Sequence, residues 1–254
     1  MKPSFLMLII FLSFTSCFSA KGVPLKPTNA STKTSTKAIV NHSDWEALLK
    51  KYVAHNGDVN YKGFKTDIDK LNAYVDYLAT QIPQDHWSKD ELLAYYINVY
   101  NANTIKLILE NYPTKSIKDI KNPWLKNRVK IGDKNFSLAD IENGILRKMD
   151  EPRIHFAINC ASFSCPKLLN TAYTANNVES LLQKAAIDFI NNPNKNKISE
   201  NKVQLSEIFK WYKKDFTKNG SIIAFINKYS KTKISSKANI NYINYNWSLN
   251  EQKN

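Results

Sequence analysis

The chain is 254 residues long, 43% hydrophobic, and carries 36 basic against 22 acidic side chains, a net charge of +14. After the first twenty residues no apolar run approaches the roughly 20 residues of a spanning helix, which excludes a multi-span membrane protein. The positive charge does not read as a nucleic-acid surface: 33 of the 36 basic residues are lysine, and Arg, the residue suited to bidentate phosphate contact, occurs only three times.

Met1-Lys2-Pro3 gives a positive start, and Ser4 to Ser13 is a short apolar run, the pattern of an export signal. Cleavage after Ala20 would put the bulky Phe18 where a small residue is needed. Phe14-Thr15-Ser16-Cys17 instead resembles the bacterial lipobox that ends in a lipid-modified cysteine. The expectation is a signal peptide over residues 1–16, lipid on Cys17, and contact with the bilayer through that residue. Residues 17–40 hold no acid and much Lys, Ser, Thr and Pro, which reads as a disordered tether. Phe18, rather than aspartate, follows the cysteine, a weak pointer to the outer membrane or periplasmic face of a cell envelope. Without the five lysines of residues 1–40, the remaining chain carries 31 basic and 22 acidic residues.

From residue 41 to 254 the pattern is that of one domain. Ser43-Asp44-Trp45-Glu46 reads as a capping box opening a helix to about His55. Leu71, Tyr74, Val75 and Leu78 mark a second helix, from Thr66 to Gln81. Ser88 to Glu91 caps a third, apolar on most sides, which Tyr112-Pro113 stops after Asn111. Gly132-Asp133 joins two short strands, Arg128 to Ile131 and Lys134 to Phe136. Ser137 caps a helix to Lys148. Arg153 to Cys160 reads as a buried strand, followed by helices near 178–191, 205–215 and 221–228, and a strand from Ile240 to Trp247. Helices outnumber strands without regular βαβ alternation, so the expected class is α+β: a helix-rich single domain around a small, mostly antiparallel sheet.

Two segments could carry chemistry. In the apolar helix, Glu91, Asn98 and Asn101 share one face. They read either as a hydrogen-bond hub that holds a neighbouring loop, or as amides facing a pocket. The second segment, Glu151 to Pro166, holds His155, Arg153 and both cysteines beyond Cys17. If Arg153 to Cys160 is extended, Arg153, His155 and Asn159 share a face and Cys160 joins the apolar one. Cys165, past the turn, could then return to His155 as nucleophile and base, with Asn159, Asn98 or Asn101 orienting the imidazole or binding an oxyanion. The competing readings are a Cys160–Cys165 disulfide, or inert thiols beside a hydrogen-bonded histidine. The spacing fits no zinc pattern, so neither metal nor other cofactor is expected.

Ala94-Tyr95-Tyr96-Ile97-Asn98-Val99-Tyr100-Asn101, Glu142 to Arg147, Pro152 to Pro166, Leu205 to Phe216 and Tyr245 to Asn250 together resemble the family called domain of unknown function 547. The resemblance spans Asp44 to Glu251. It implies exported bacterial proteins and plant proteins with coiled-coil segments, and a distant likeness to papain-type folds. Many members have a histidine where this chain has Asn143, which removes support for a catalytic role of that helix here. Function is thus expected to be either a thiol-dependent hydrolase or transferase on amide or ester bonds, or a non-catalytic binding or assembly module of the envelope. Its substrate or protein partner is unknown. Radiolabelled palmitate should enter the wild-type chain in an exporting bacterial host and be lost in Cys17→Ala; equal labelling of the two would refute the lipobox.

Overall fold

The computed structural model describes residues 40–253. The expected signal peptide, Cys17 and residues 17–39 of the expected tether lie outside them. Val40, assigned by sequence to the tether, is buried in the core, and its backbone N–H donates to Glu91 Oε1 at 2.9 Å.

The first three helices are α1 (Ser43–Tyr52), α2 (Tyr61–Phe64) and α3 (Ile68–Thr80). They pack beside α4 (Lys89–Glu110), of whose 22 residues eighteen are buried. Ser88 caps α4 by accepting from the Glu91 N–H at 3.1 Å. The box expected at Ser43 does not form. His42 is the N-cap and makes no side-chain cap bond, while Glu46 instead accepts from Ala172 N and pairs with Lys50. The hairpin is as expected: β1 (Val129–Ile131) and β2 (Lys134–Phe136) pair antiparallel around Gly132, whose φ of +60° suits a residue without a Cβ.

The stretch after the hairpin departs from ordinary helix. Ser137 and Asp140 cap each other, each side chain accepting from the other's backbone N–H, as expected. The backbone then widens into a π-helix over Asp140–Ile145 and tightens into a 3-10 turn over Leu146–Met149. π-Helical turns are rare and concentrate at functional sites.

Residues 153–160 are not a strand. Pro152–Phe156 is a 3-10 helix: Glu151 caps it by accepting from Arg153 N, and Pro152 presets the backbone angle of its first turn. The apolar run that resembled a buried strand is divided between two hydrophobic clusters. Ile154, Ala157 and Ile158 enter the larger one around α4, while Phe156 enters a second with Phe189, Phe209, Phe216 and Phe225. Helix α5 (Val178–Ile190) crosses the same boundary, with Val178 and Leu182 in the first cluster and Ala185, Ala186, Phe189 and Ile190 in the second.

The sequence between 197 and 243 forms a three-stranded sheet. β3 (Lys197–Ile198) runs antiparallel to β4 (Lys202–Ser206), and β5 (Asn239–Ile243) runs parallel to β4. β4 takes Leu205 and Ser206 from the helix expected over 205–215. The rest of that helix is two single turns, α6 (Ile208–Trp211) and α7 (Lys213–Phe216), and α8 (Ile222–Ile226) comes after them. The expected last strand ends at Ile243, and residues 244–252 continue as a strap. Its backbone bonds Ala161 O, Phe163 N, Lys115 O and both polar groups of Val59. The result is the expected helix-rich α+β domain, with two small sheets rather than one.

Asn98 and Asn101 are the hub on which the irregular backbone hangs. Asn98 donates to Tyr173 O at 2.6 Å and accepts from Tyr173 N at 3.2 Å. Asn101 donates to Ala157 O at 3.0 Å and accepts from Asn159 N at 2.9 Å. Both are buried. Asn101→Ala strands a carbonyl and an amide away from water, a loss of about 3 kcal/mol, read as a lower urea midpoint with unchanged m-value. A change under about 0.5 kcal/mol would show that the hub does not bear on stability.

Candidate functional site

The seam between the two clusters opens as a cavity of about 400 Å³, lined by Tyr100, Trp124, Glu142, Asn143, His155, both cysteines, Trp211, Tyr212, Tyr245 and Trp247 among others. α4 contributes Tyr100, the π-turn Glu142 and Asn143, the 3-10 helix His155, and α6 with its following residue Trp211 and Tyr212. Tyr245 and Trp247 come from the C-terminal strap. Trp211, Tyr245 and Trp247 pack with ring centroids 4.5–5.7 Å apart, and Trp124 meets Trp247 edge-on at 5.7 Å. The wall is therefore aromatic, with a small number of polar groups set into it.

Cys160 and Cys165 are joined as a disulfide with Cα atoms 6.2 Å apart, within the range such a bridge spans. The turn that permits this contains Ala161 at φ +59°. Tyr245 donates its hydroxyl to Cys165 Sγ at 3.1 Å. The Cys165–His155 dyad is corrected accordingly: both residues line one cavity, but the sulfur is bonded to its partner and no thiolate is available.

The other expected site residues are also reassigned. Asn159 donates to Pro166 O at 2.6 Å and accepts from Ala161 N at 2.7 Å, so it shapes the disulfide loop and does not touch His155. Arg153 does not line the cavity. It forks onto Glu151 and Glu179, at 2.6–2.8 Å, and these bonds raise its pKa. Asn98 and Asn101 hold backbone. The shared face of Arg153, His155 and Asn159 disappears because three-residue turns replace the two-residue alternation of a strand.

The group that does orient His155 is Asp215, which no local sequence pattern singled out. His155 Nε2 lies 2.8 Å from Asp215 Oδ2, and the imidazole stacks on Tyr212 at 3.9 Å between centroids. Arg147 grips the same carboxylate with Nε at 2.6 Å and Nη2 at 3.0 Å, and gives Nη1 to Asn143 Oδ1 at 2.8 Å. Nε2 faces the carboxylate, and the other ring nitrogen, Nδ1, is buried and without a partner. Burial pushes the Asp215 carboxyl upward, but His155 and Arg147 outweigh it and hold it well below the usual carboxylate range.

Glu142 is the second residue missed. It is 7% exposed, Oε1 has no hydrogen-bond partner, and the carboxylate is met by the phenols of Tyr100, at 3.5 Å from Oε2, and Tyr212. Burial and the charge of Glu142 push the phenols of Tyr100 and Tyr212 up. The signal for these residues was present in sequence: Glu142–Arg147, Leu205–Phe216 and Tyr245–Asn250 were the segments that carried the family resemblance.

A family model described as "Protein of unknown function, DUF547" matches residues 84–190. These residues belong to the DUF547 family. No curated protein and no solved structure matches the chain. The DUF547 match contains Tyr100, Glu142, His155 and both cysteines, whereas Asp215 and the aromatic wall from Trp211 to Trp247 come after it in sequence. Behind the disulfide loop is another cavity, of about 390 Å³, where burial pushes the Lys195 ammonium down to about 8. Its charged groups are engaged with each other or with backbone: Lys195 with Phe163 O, and Asp188 with Lys167 and Lys184. Two buried side-chain atoms without partners, Glu142 Oε1 and His155 Nδ1, belong to residues of the aromatic cavity and none to this one, which makes the aromatic cavity the better candidate site.

The depressed Asp215 pKa fixes a sign. Its ion pairs stabilise the fold above the ordinary carboxylate pKa of about 4 and are lost as pH falls through the lower folded-state value. Asp215→Asn should cost about 2 kcal/mol at pH 7. The gap from wild type should narrow as pH drops below about 4. A gap constant down to pH 2 would refute the assignment.

Proposed function

We propose that this chain is a lipid-tethered, non-catalytic binding domain of the bacterial cell envelope, and that the aromatic cavity is its ligand site. The observation that carries this reading is the Cys160–Cys165 disulfide in the cavity wall. It removes the thiol that a hydrolase or transferase mechanism needs, and it leaves a shaped, largely apolar recess. The tether argument is separate and rests on Thr15-Ser16-Cys17 and the poor cleavage alternative at Ala20. No helix of the described residues is long and apolar enough to cross a membrane.

Binding also suits how the cavity is built. His155 is held by Asp215 and stacked on Tyr212, Asn143 is held by Arg147, and the strap carrying Tyr245 and Trp247 is fixed to the disulfide loop by Phe163 N to Ser248 O at 2.7 Å and Asn246 N to Ser164 Oγ at 2.9 Å. Side chains fixed before a ligand arrives lose little further entropy on binding.

Iodoacetamide labelling of the folded, unreduced protein, read by mass spectrometry, should leave Cys160 and Cys165 unmodified until a reductant is added. If Cys165 labels without reduction, faster than Cys160 and only while His155 is intact, the thiol-enzyme reading replaces this one.

A further inference from the structure

Glu142 is the odd group in the cavity. A carboxylate 93% removed from solvent ordinarily has a cation or several donors around it, because an unpaired buried charge is costly. Here Oε1 has none. The nearest guanidinium, Arg147, has Nε and Nη2 on Asp215 and Nη1 on Asn143. The other orphan of the cavity lining, His155 Nδ1, is also an acceptor when its proton sits on Nε2. The polar demand of the site is therefore for a donor, and for positive charge.

The walls make the same demand. Aromatic faces attract cations, and two rings of this site already hold one: Lys118 Nζ is 5.4 Å from the Trp247 centroid, and the Arg147 guanidinium carbon is 5.2 Å from that of Tyr212. Among the described residues no cation lies over Trp124, Trp211 or Tyr245. Trp211 is 46% exposed and Leu125 73% exposed, so the rim is apolar and open.

Resting on the binding reading above, we propose that the cavity takes an amphipathic organic ammonium. Its N–H groups donate to the Glu142 carboxylate, and its apolar body lies among Trp124, Trp211, Tyr245 and Trp247. A neutral ligand would gain nothing from the charge of this carboxylate, and a carboxylate ligand would be repelled by it. The volume, near the lower end for ligand pockets, suits a compact amine rather than a polymer segment.

Three probes of similar size test this on the full chain: benzylamine, benzyl alcohol and benzoate, titrated at pH 7 by tryptophan fluorescence and saturation-transfer NMR. Benzylamine should bind at least tenfold more tightly than benzyl alcohol, with benzoate weakest. Glu142→Gln, which keeps the side-chain shape, should abolish the tenfold preference and leave benzyl alcohol unchanged. Trp211→Ala, at the exposed rim, should weaken all three. If benzyl alcohol matches benzylamine, or the preference survives Glu142→Gln, the ammonium assignment falls while the cavity remains a binding site. If no probe binds the wild-type chain, both readings fall. Should Glu142→Gln fail to fold, the wild-type ratio of amine to alcohol decides alone.

Discussion

The backbone from Ala157 to Tyr173 is buried over much of its length and has no regular helix or strand, so its polar groups need partners from elsewhere. Three asparagines supply many of them. Asn101 holds Ala157 and Asn159, Asn98 holds Tyr173 at the far end, and Asn159 closes the loop between Ala161 and Pro166. Two of the three project from α4, the most buried element, so the loop's position is referred to the rigid centre of the domain. Each amide offers a donor and an acceptor in one plane and can substitute for a missing backbone neighbour on both sides. The disulfide, His155 and the cavity depend on where this loop is held.

The second organising feature is the division of the apolar residues into two clusters. Residues 154–158 serve both, and a chain that must point Ile154 and Phe156 into different clusters cannot remain an extended strand. The cavity opens along that seam, where aromatic residues of the strap cover what neither cluster closes. Arg147, Asp215 and His155 tie the π-turn region, α7 and the 3-10 helix together across it. A binding recess placed between two rigid bodies of side chains can be open without leaving the core unpacked.

Much of the local structure was legible in sequence. Ser88 capped α4, the apolar spacing of Leu71 to Leu78 gave α3, and Gly132-Asp133 gave the hairpin, because caps, periodicity and turns depend on residues a few positions apart. The face shared by Asn98 and Asn101 was also readable, and the hub interpretation of it is what the structure contains. The failures had a common origin. Ile154 to Ile158 looked like a strand because apolarity does not say which of two clusters each residue enters, and Leu205 looked helical because strand pairing with residues 239–243 is non-local.

The sequence by itself marked most helices, the two-cysteine segment and the family. It did not show that Tyr100, Glu142, His155, Asp215 and Trp247 stand around one cavity. Those residues are spread over almost 150 positions, and their encounter depends on long-range closure that no local pattern encodes. Nor did it distinguish a nucleophile from a disulfide. Both use Cys165, and only the turn at Ala161, with the strap and the asparagine hub around it, brought that residue to Cys160.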